Sequence, residues 1–197
     1  MNAPRGVAAV RRRPGMYLGP FDGGIGPNLL VEQAVGCAIE EALTFQPTQI
    51  WVRLDADGSC SVEDDGRGLP TAPYRDLGVS YAEAAFTIDH VTPAFHANGP
   101  VASYCTVNAL SETLELRVWR DGEEHRMTFR SGERETSKVL QAQPRDKHGT
   151  MVKFVPDALI LGAVAFDGPR LATRLQELAR QYGVTIGFDD RRHRGQP

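Results

Sequence analysis

Apolar residues recur at helical spacing between Asn28 and Phe45, with Leu30, Val31, Ala34, Val35, Ala38, Ile39, Ala42 and Leu43 on one broad face. That period predicts a buried helix, capped by Asn28 and stopped by Pro47. From Gln49 the pattern changes: Gln49 to Leu54, the turn Asp57-Gly58, and Ser59 to Asp64 read as a β-hairpin. A helix is expected over Ser80 to Asp89 and a short one over Val101 to Leu110. Thr113 to Arg120 and His125 to Arg130, joined at Asp121-Gly122, read as a second hairpin, with further strands near Val139 and at Thr150 to Val155. Pro169 to Tyr182 carries Leu171, Leu175, Leu178 and Ala179 on one side and predicts a closing helix, followed by a strand over Val184 to Phe188.

Residues 1–27 are broken by prolines and by the run Asp22-Gly-Gly-Ile-Gly-Pro27, so they read as an extended arm and loop that adds little core. The stretch 90–100 is irregular and reads as a mobile loop. Helices interleaved with hairpins predict an α/β (α+β) domain whose mixed sheet carries helices on one face.

Composition adds bounds rather than detail. A chain of 197 residues can bury a full core, and a single domain over 1–197 is expected. No apolar run reaches transmembrane length, so no membrane partner is expected. Arg11-Arg12-Arg13 is followed at once by Pro14 and Gly15, which argues against a secretory signal. Cys37, Cys60 and Cys105 are an odd set without metal-type spacing, which points to free thiols, a cytoplasmic location and no metal site. A net charge of −3 leaves no overall basic footprint, so nucleic acid is not expected as a partner. The arginines at 11–13 and the basic run 191–194 read as solvated.

Candidate chemistry gathers at Ser61-Val-Glu-Asp-Asp-Gly-Arg-Gly-Leu-Pro70. A strand ending at Asp64 runs into a tight turn, and Gly66 and Gly68 let the backbone pass close to a ligand. Asp64, Asp65 and Arg67 make a polar cluster at a strand end, where α/β sheets place binding sites. The plainer reading of the two aspartates is a solvated hairpin end.

These residues resemble the N-terminal ATPase domain of the DNA gyrase B and topoisomerase IV family, part of the GHKL ATPases. The resemblance rests on Arg13-Pro-Gly-Met-Tyr-Leu-Gly19, Ala38-Ile-Glu-Glu-Ala-Leu43, Val62 to Pro70, Val107-Asn-Ala-Leu-Ser111 and Gly149-Thr-Met-Val-Lys-Phe154, in the family's order along nearly the whole chain. It implies a two-layer GHKL (Bergerat-type) sandwich with a mostly antiparallel sheet, and a nucleotide pocket between sheet, long helix and lid. By the same resemblance Asp64 reads the adenine amino group and Thr150 supports it. Arg67 and Pro70 then lie at the pocket mouth, Glu41 pairs with Arg67, and Arg120 is a second arginine at the mouth.

The family's general base and its Mg²⁺-holding asparagine match Gln33 and Cys37. A glutamine cannot accept a proton from water, and a neutral thiol is a poor ligand for hard Mg²⁺. Glu32 is one residue away, about 100° around the helix. The Gly-rich phosphate loop matches the shorter Ala97-Asn-Gly-Pro-Val-Ala-Ser103, in which Pro100 lacks an amide donor. ATP hydrolysis is therefore not expected, and neither is the gyrase-type dimer in which subunits embrace through an N-terminal arm.

The expected function is a former adenine pocket repurposed for metal-free acid/base chemistry on a small organic molecule, of cyclase or isomerase type. Asp64, Glu32, Arg67 and His90 are the candidate catalytic groups. Gln33, Cys37, Glu41, Gly66, Gly68, Pro70, Arg120 and Thr150 are the candidate ligand contacts. His96 also flanks the lid, where an exposed loop histidine is the commoner outcome. No cofactor is expected under this reading. Two alternatives stand beside it: a non-catalytic nucleotide-binding or regulatory module in which Asp64 and Thr150 still bind adenine, the one reading that leaves room for ATP with Mg²⁺, and a binding sink for gyrase-directed inhibitors.

Overall fold

The computed structural model describes residues 6–45, 49–89, 91, 99–162 and 165–192. The elements run α1 (Val7–Arg12), α2 (Gly15–Leu18), α3 (Gly26–Phe45), β1 (Gln49–Leu54), β2 (Cys60–Asp64), α4 (Tyr81–Thr87), α5 (Tyr104–Ala109) and β3 (Ser111–Arg120). After these come β4 (Glu123–Arg130), β5 (Glu133–Gln141), β6 (Gly149–Pro156), α6 (Ala158–Leu161), α7 (Gly168–Tyr182) and β7 (Thr185–Asp190). The strands form one sheet in the order β5-β4-β3-β6-β2-β1-β7. Only the β1–β7 pair is parallel; the other neighbours are antiparallel.

Period-two alternation decides the two faces of this sheet. Ile50, Val52 and Leu54 of β1, Val62 of β2, Leu114, Leu116 and Val118 of β3, and Val152 and Phe154 of β6 are buried under the helices. Their neighbours Glu63, Glu115, Arg117 and Lys153 point to the other face, where Lys147 meets Glu63 at 3.1 Å and Arg117 meets Glu115 at 2.7 Å. A sheet with one apolar and one charged face is stable with a single helical layer. The mixed, mostly antiparallel, two-layer arrangement expected from sequence is thus observed. No helix among the described residues is long and apolar enough to cross a membrane.

Helix α3 lies at the centre of the helical layer, with Leu30, Val31, Val35 and Ile39 fully buried. It starts at Gly26 rather than at Asn28, because Pro27 fits the first turn of a helix, where its missing N–H costs nothing. Asn28 is buried and has another task. Its Nδ2 donates to the Asp167 carbonyl and its Oδ1 accepts the Asp167 amide, both at 2.9 Å. Asp167 in turn caps α7, so one side chain locks the two long helices together.

Residues 6–18 correct the expectation of an extended arm. They fold into α1 and α2, and Val7, Val10 and Leu18 join the core. Prolines at 14 and 20 hid this, although Pro14 sits only at the start of a four-residue helix. Arg11 is not merely solvated either. Its guanidinium pairs with buried Asp157 at 2.8 Å and donates to the Ala109 carbonyl at 2.7 Å. Helix α5 starts at Tyr104, three residues later than expected, where the Ser103 hydroxyl accepts the Thr106 amide.

Candidate functional site

Asp64 ends β2 in the middle of the sheet, opposite Thr150 of β6, which in turn faces Val118 of β3. Being the last inward position of a central strand, its side chain is 4% exposed. Its Oδ1 accepts the Gly66 amide at 2.9 Å and the Thr150 amide at 3.4 Å. Thr150 Oγ1 accepts the Leu69 amide at 3.2 Å. Together these bonds fold the 64–69 turn back over the sheet and fix one carboxyl oxygen. Burial pushes the Asp64 carboxyl up to about 7; the Gly66 amide opposes this and the Glu41 charge adds to it.

The turn glycines serve the backbone more than a ligand. Gly68 has a φ of 75°, and a side chain there would meet the Trp119 carbonyl at 2.5 Å and the Gly149 carbonyl at 3.0 Å. Gly66 supplies the amide to Asp64, and its carbonyl accepts a bond from His148 Nδ1 at 2.8 Å. Pro70 gives its carbonyl to the Ala82 amide at 2.9 Å, which seats α4 against the turn.

Glu41 reaches this site from α3. Its Oε1 accepts from Arg67 Nε at 3.2 Å, and the Arg67 guanidinium lies 3.0 Å from the Phe45 ring centroid. Glu41 Oε2 is buried and has no hydrogen-bond partner among the described residues. Burial raises the Glu41 pKa, and Arg67 and Arg120 counteract. Arg120 itself donates to the Gly68 carbonyl at 2.7 Å and lies 3.5 Å from Asp121. Both arginines are therefore engaged around the 64–69 turn, Arg67 with Glu41 and Phe45 and Arg120 with the Gly68 carbonyl and Asp121.

Tyr104, the first residue of α5, completes the group and was not singled out from sequence. Its ring is 5% exposed and stacks on Phe86, with centroids 4.7 Å apart. Burial, then the charges of Cys37, Asp64 and Glu41, raise its pKa well above the usual value. The phenol thus lies within electrostatic reach of all three. In the run Ser103-Tyr-Cys-Thr106 nothing distinguishes a pocket tyrosine from a core aromatic.

The other half of the site is closed by the chain itself. Gln33 Oε1 accepts the Ser103 amide at 3.1 Å, one turn of α3 before Gly36. Gly36 has no side chain, and a Cβ there would lie 2.6 Å from the Ala102 Cβ and 3.5 Å from Pro100. Gly99 packs on the Glu40 carboxylate in the same way. Segment 99–103 therefore rests directly on α3. Cys37 is partly buried, and burial and the Glu40 charge keep its thiol neutral.

Glu32 is not brought to Asp64. It pairs with Arg174 of α7 at 2.9 Å, on a different side of α3 from Gln33. His90 and His96, with most of the 90–100 stretch, fall outside the described residues.

The chain is 41% identical over 198 residues to DNA gyrase B of Synechocystis, covering 95% of this chain and 18% of that protein. It is 37% identical to DNA gyrase B of Thermus thermophilus, covering 96% of this chain and 31% of that one. A crystal structure of the 43K ATPase domain of Thermus thermophilus gyrase B, in complex with an aminocoumarin, superposes with a TM-score of 0.84 at 38% identity, over 96% of this chain and 50% of that chain.

The chain is a homologue of the gyrase B ATPase domain.

No protein-family model matches it. It spans under a third of the length of these gyrase B proteins and half of the 43K chain. In this gyrase B-like domain Asp64 is held at the end of β2 by the Gly66 and Thr150 amides. The residues present do not fit a Mg²⁺-bound triphosphate. The position expected to hold Mg²⁺ carries a neutral thiol, the Ser103 amide is already bonded to Gln33, and Pro100 and Ala102 lie against Gly36.

Proposed function

We propose that this gyrase B-like domain binds a small organic molecule at Asp64 and does not hydrolyse ATP. The observation that carries this reading is the Gln33 to Ser103 bond. Gln33 stands where the family resemblance calls for a general base. An amide has no basic site for a water proton, and this one is occupied with a backbone N–H. The recognition half remains organised, with Asp64 Oδ1 fixed by two amides and Thr150 fixed to Leu69. A buried, pre-aligned carboxyl is the kind of polar group by which a pocket orients a heterocycle.

A measurement of phosphate release tests this directly. Wild type and Asp64→Asn, each incubated with ATP and Mg²⁺, are expected to release phosphate at the same background rate. Release that depends on Asp64 would sink the proposal.

Acid/base turnover of the bound molecule, as in a cyclase or isomerase, is a second reading favoured by one observation. A carboxyl pushed up to about 7 exchanges its proton at neutral pH. Tyr104, whose phenol burial and the nearby charges keep protonated, would serve as a neutral hydrogen-bond donor to the bound molecule. Any such conversion should vanish in Asp64→Asn and in Tyr104→Phe. Tight binding of an aminocoumarin without conversion would instead support an inhibitor sink, since the superposed gyrase B structure is of such a complex.

A further inference from the structure

A second hollow lies on the charged face of the sheet, away from Asp64. Its volume is about 330 Å³, within the range of small-ligand sites. Ser59, just before β2, lines it, whereas Asp64 ends that strand and faces the helices, so the two places lie on opposite faces and at opposite ends of β2. Two β-bulges shape the hollow. Glu112 is an extra residue of β3, between the pairs Ser111–Pro156 and Thr113–Val155, and Glu135 is an extra residue of β5, between Thr128–Thr136 and Phe129–Arg134. A bulge bends its strand and re-aims a side chain, and here Glu135 is brought to Arg130 at 2.9 Å.

The charged groups around the hollow are only partly used. Lys153 stands opposite Glu115 in register, yet its ammonium turns to Asp57 at 3.3 Å and to Asp55 at 3.5 Å instead. Glu115 Oε1 accepts from Arg117 at 2.7 Å, and Glu115 Oε2 accepts nothing among the described residues. Arg130 gives its Nε to Glu135, and its two terminal nitrogens donate to nothing among them. Glu115 faces Thr128, so Glu115 and Arg130 are diagonal neighbours on adjacent strands, with Cα atoms about 7–8 Å apart. Thr113, with Arg130 on one side and Val155 on the other, forms the floor beside them.

We infer that this hollow binds a free α-amino acid, with its ammonium group on Glu115 Oε2, its carboxylate on the terminal nitrogens of Arg130 and an apolar side chain over Thr113 and Val155. The pattern of signs favours a zwitterion. Three carboxylates and two cations line the hollow, so an anion alone meets more repulsion than attraction, and a cation alone leaves Arg130 unmatched. Glu115 and Arg130 are both partly exposed, so water screens each contact and the expected dissociation constant is on the order of 1 mM. Nothing in this depends on the chemistry at Asp64, which faces the other layer.

Leucine, leucinamide and N-acetylleucine separate the two contacts, since the amide lacks the carboxylate charge and the acetyl compound lacks the ammonium. Each is titrated into the whole chain and followed by backbone amide shifts in NMR spectra. Leucine should saturate at millimolar concentration with shifts centred on Thr113, Glu115 and Arg130, and each derivative should bind more weakly by about threefold or more. Glu115→Gln should weaken leucine by a similar factor and leave N-acetylleucine unchanged, while Arg130→Gln should weaken leucine and leave leucinamide unchanged. Both side chains are partly exposed, so the variants should melt like wild type; if one does not, the three ligands on wild type still decide. Absence of saturable leucine binding overturns the inference. So does a derivative that binds as tightly as leucine, a set of shifts centred on the 64–69 turn, or leucine binding that either substitution leaves unchanged.

Discussion

The Gln33 side-chain carbonyl accepts the Ser103 amide at 3.1 Å, tying the middle of α3 to the cap of α5. An amide of this kind, at the entrance to a helix, is what a phosphate group would otherwise use. With Gly36 admitting Ala102 and Pro100 against α3, the segment before α5 is part of the packed structure. Removing the Gln33 side chain should therefore loosen that segment. Gln33→Ala is expected to lose about 1 kcal/mol of stability, the usual worth of one such bond, and to speed amide exchange at Ser103. Unchanged exchange there would mean the bond is not formed in solution.

Asp64 makes stability depend on pH in a definite direction. Its folded value of about 7 lies above the ordinary aspartate value of 3.8, so the folded state holds a proton that the unfolded chain has released. That stabilisation is complete below the unfolded value and is lost as pH rises towards 7. Burial sets it first; the Gly66 and Thr150 amides oppose the rise, and the Glu41 and Asp65 charges add to it. Glu41, also raised by burial, acts in the same direction. Urea unfolding at pH 5 and pH 8 should show wild type losing more stability than Asp64→Asn over that interval. Equal losses would contradict the assignment.

Gly68 holds the recognition turn through a left-handed backbone, pressed on two carbonyls. Gly68→Ala combines an unfavourable φ with a close contact to the Trp119 carbonyl, and should destabilise the domain by about 1–3 kcal/mol. Gly58, which has positive φ but nothing within 4 Å, is the control, and its alanine variant should cost less. Thermal or denaturant melts of the two variants decide it.

Arg11 anchors the N-terminal helix to Asp157, whose side chain is 5% exposed. Arg11→Ala leaves a buried carboxylate oxygen and the Ala109 carbonyl without their donor, and should cost about 1–3 kcal/mol. Arg12→Ala, at an exposed position of the same helix, should change stability by under about 0.5 kcal/mol.

How much the sequence revealed follows the physics of each element. The long helix, the two hairpins and the final helix were legible because their apolar periods are set by which face is buried. The turn after Asp64 was legible because acids and glycines following a strand mark a turn, while its reading as a binding site came from the family resemblance. Residues 6–18 were misread because helices of six and four residues show less than two turns of periodicity, and prolines there looked like breakers. Asn28 was read as a local cap, yet it bonds 139 residues along the chain, and no local pattern carries such a partner. Glu32 and Gln33 could not be told apart by spacing alone. Only the position of α7, which brings Arg174 to Glu32, and of Ser103, which meets Gln33, separates them. Tyr104 was missed for the same reason, since its neighbours Asp64 and Glu41 come from other elements.

Calorimetry of ATP binding, with and without Mg²⁺, decides whether the phosphate half of the pocket has been given up. With a neutral thiol, Cys37, where the family resemblance implies a metal ligand, and the Ser103 amide already bonded, Mg²⁺ should leave the affinity for ATP unchanged, and adenosine should bind at least as well as ATP. Binding of ATP that is tight, strengthened by Mg²⁺ and much stronger than that of adenosine would show instead that the triphosphate site is intact.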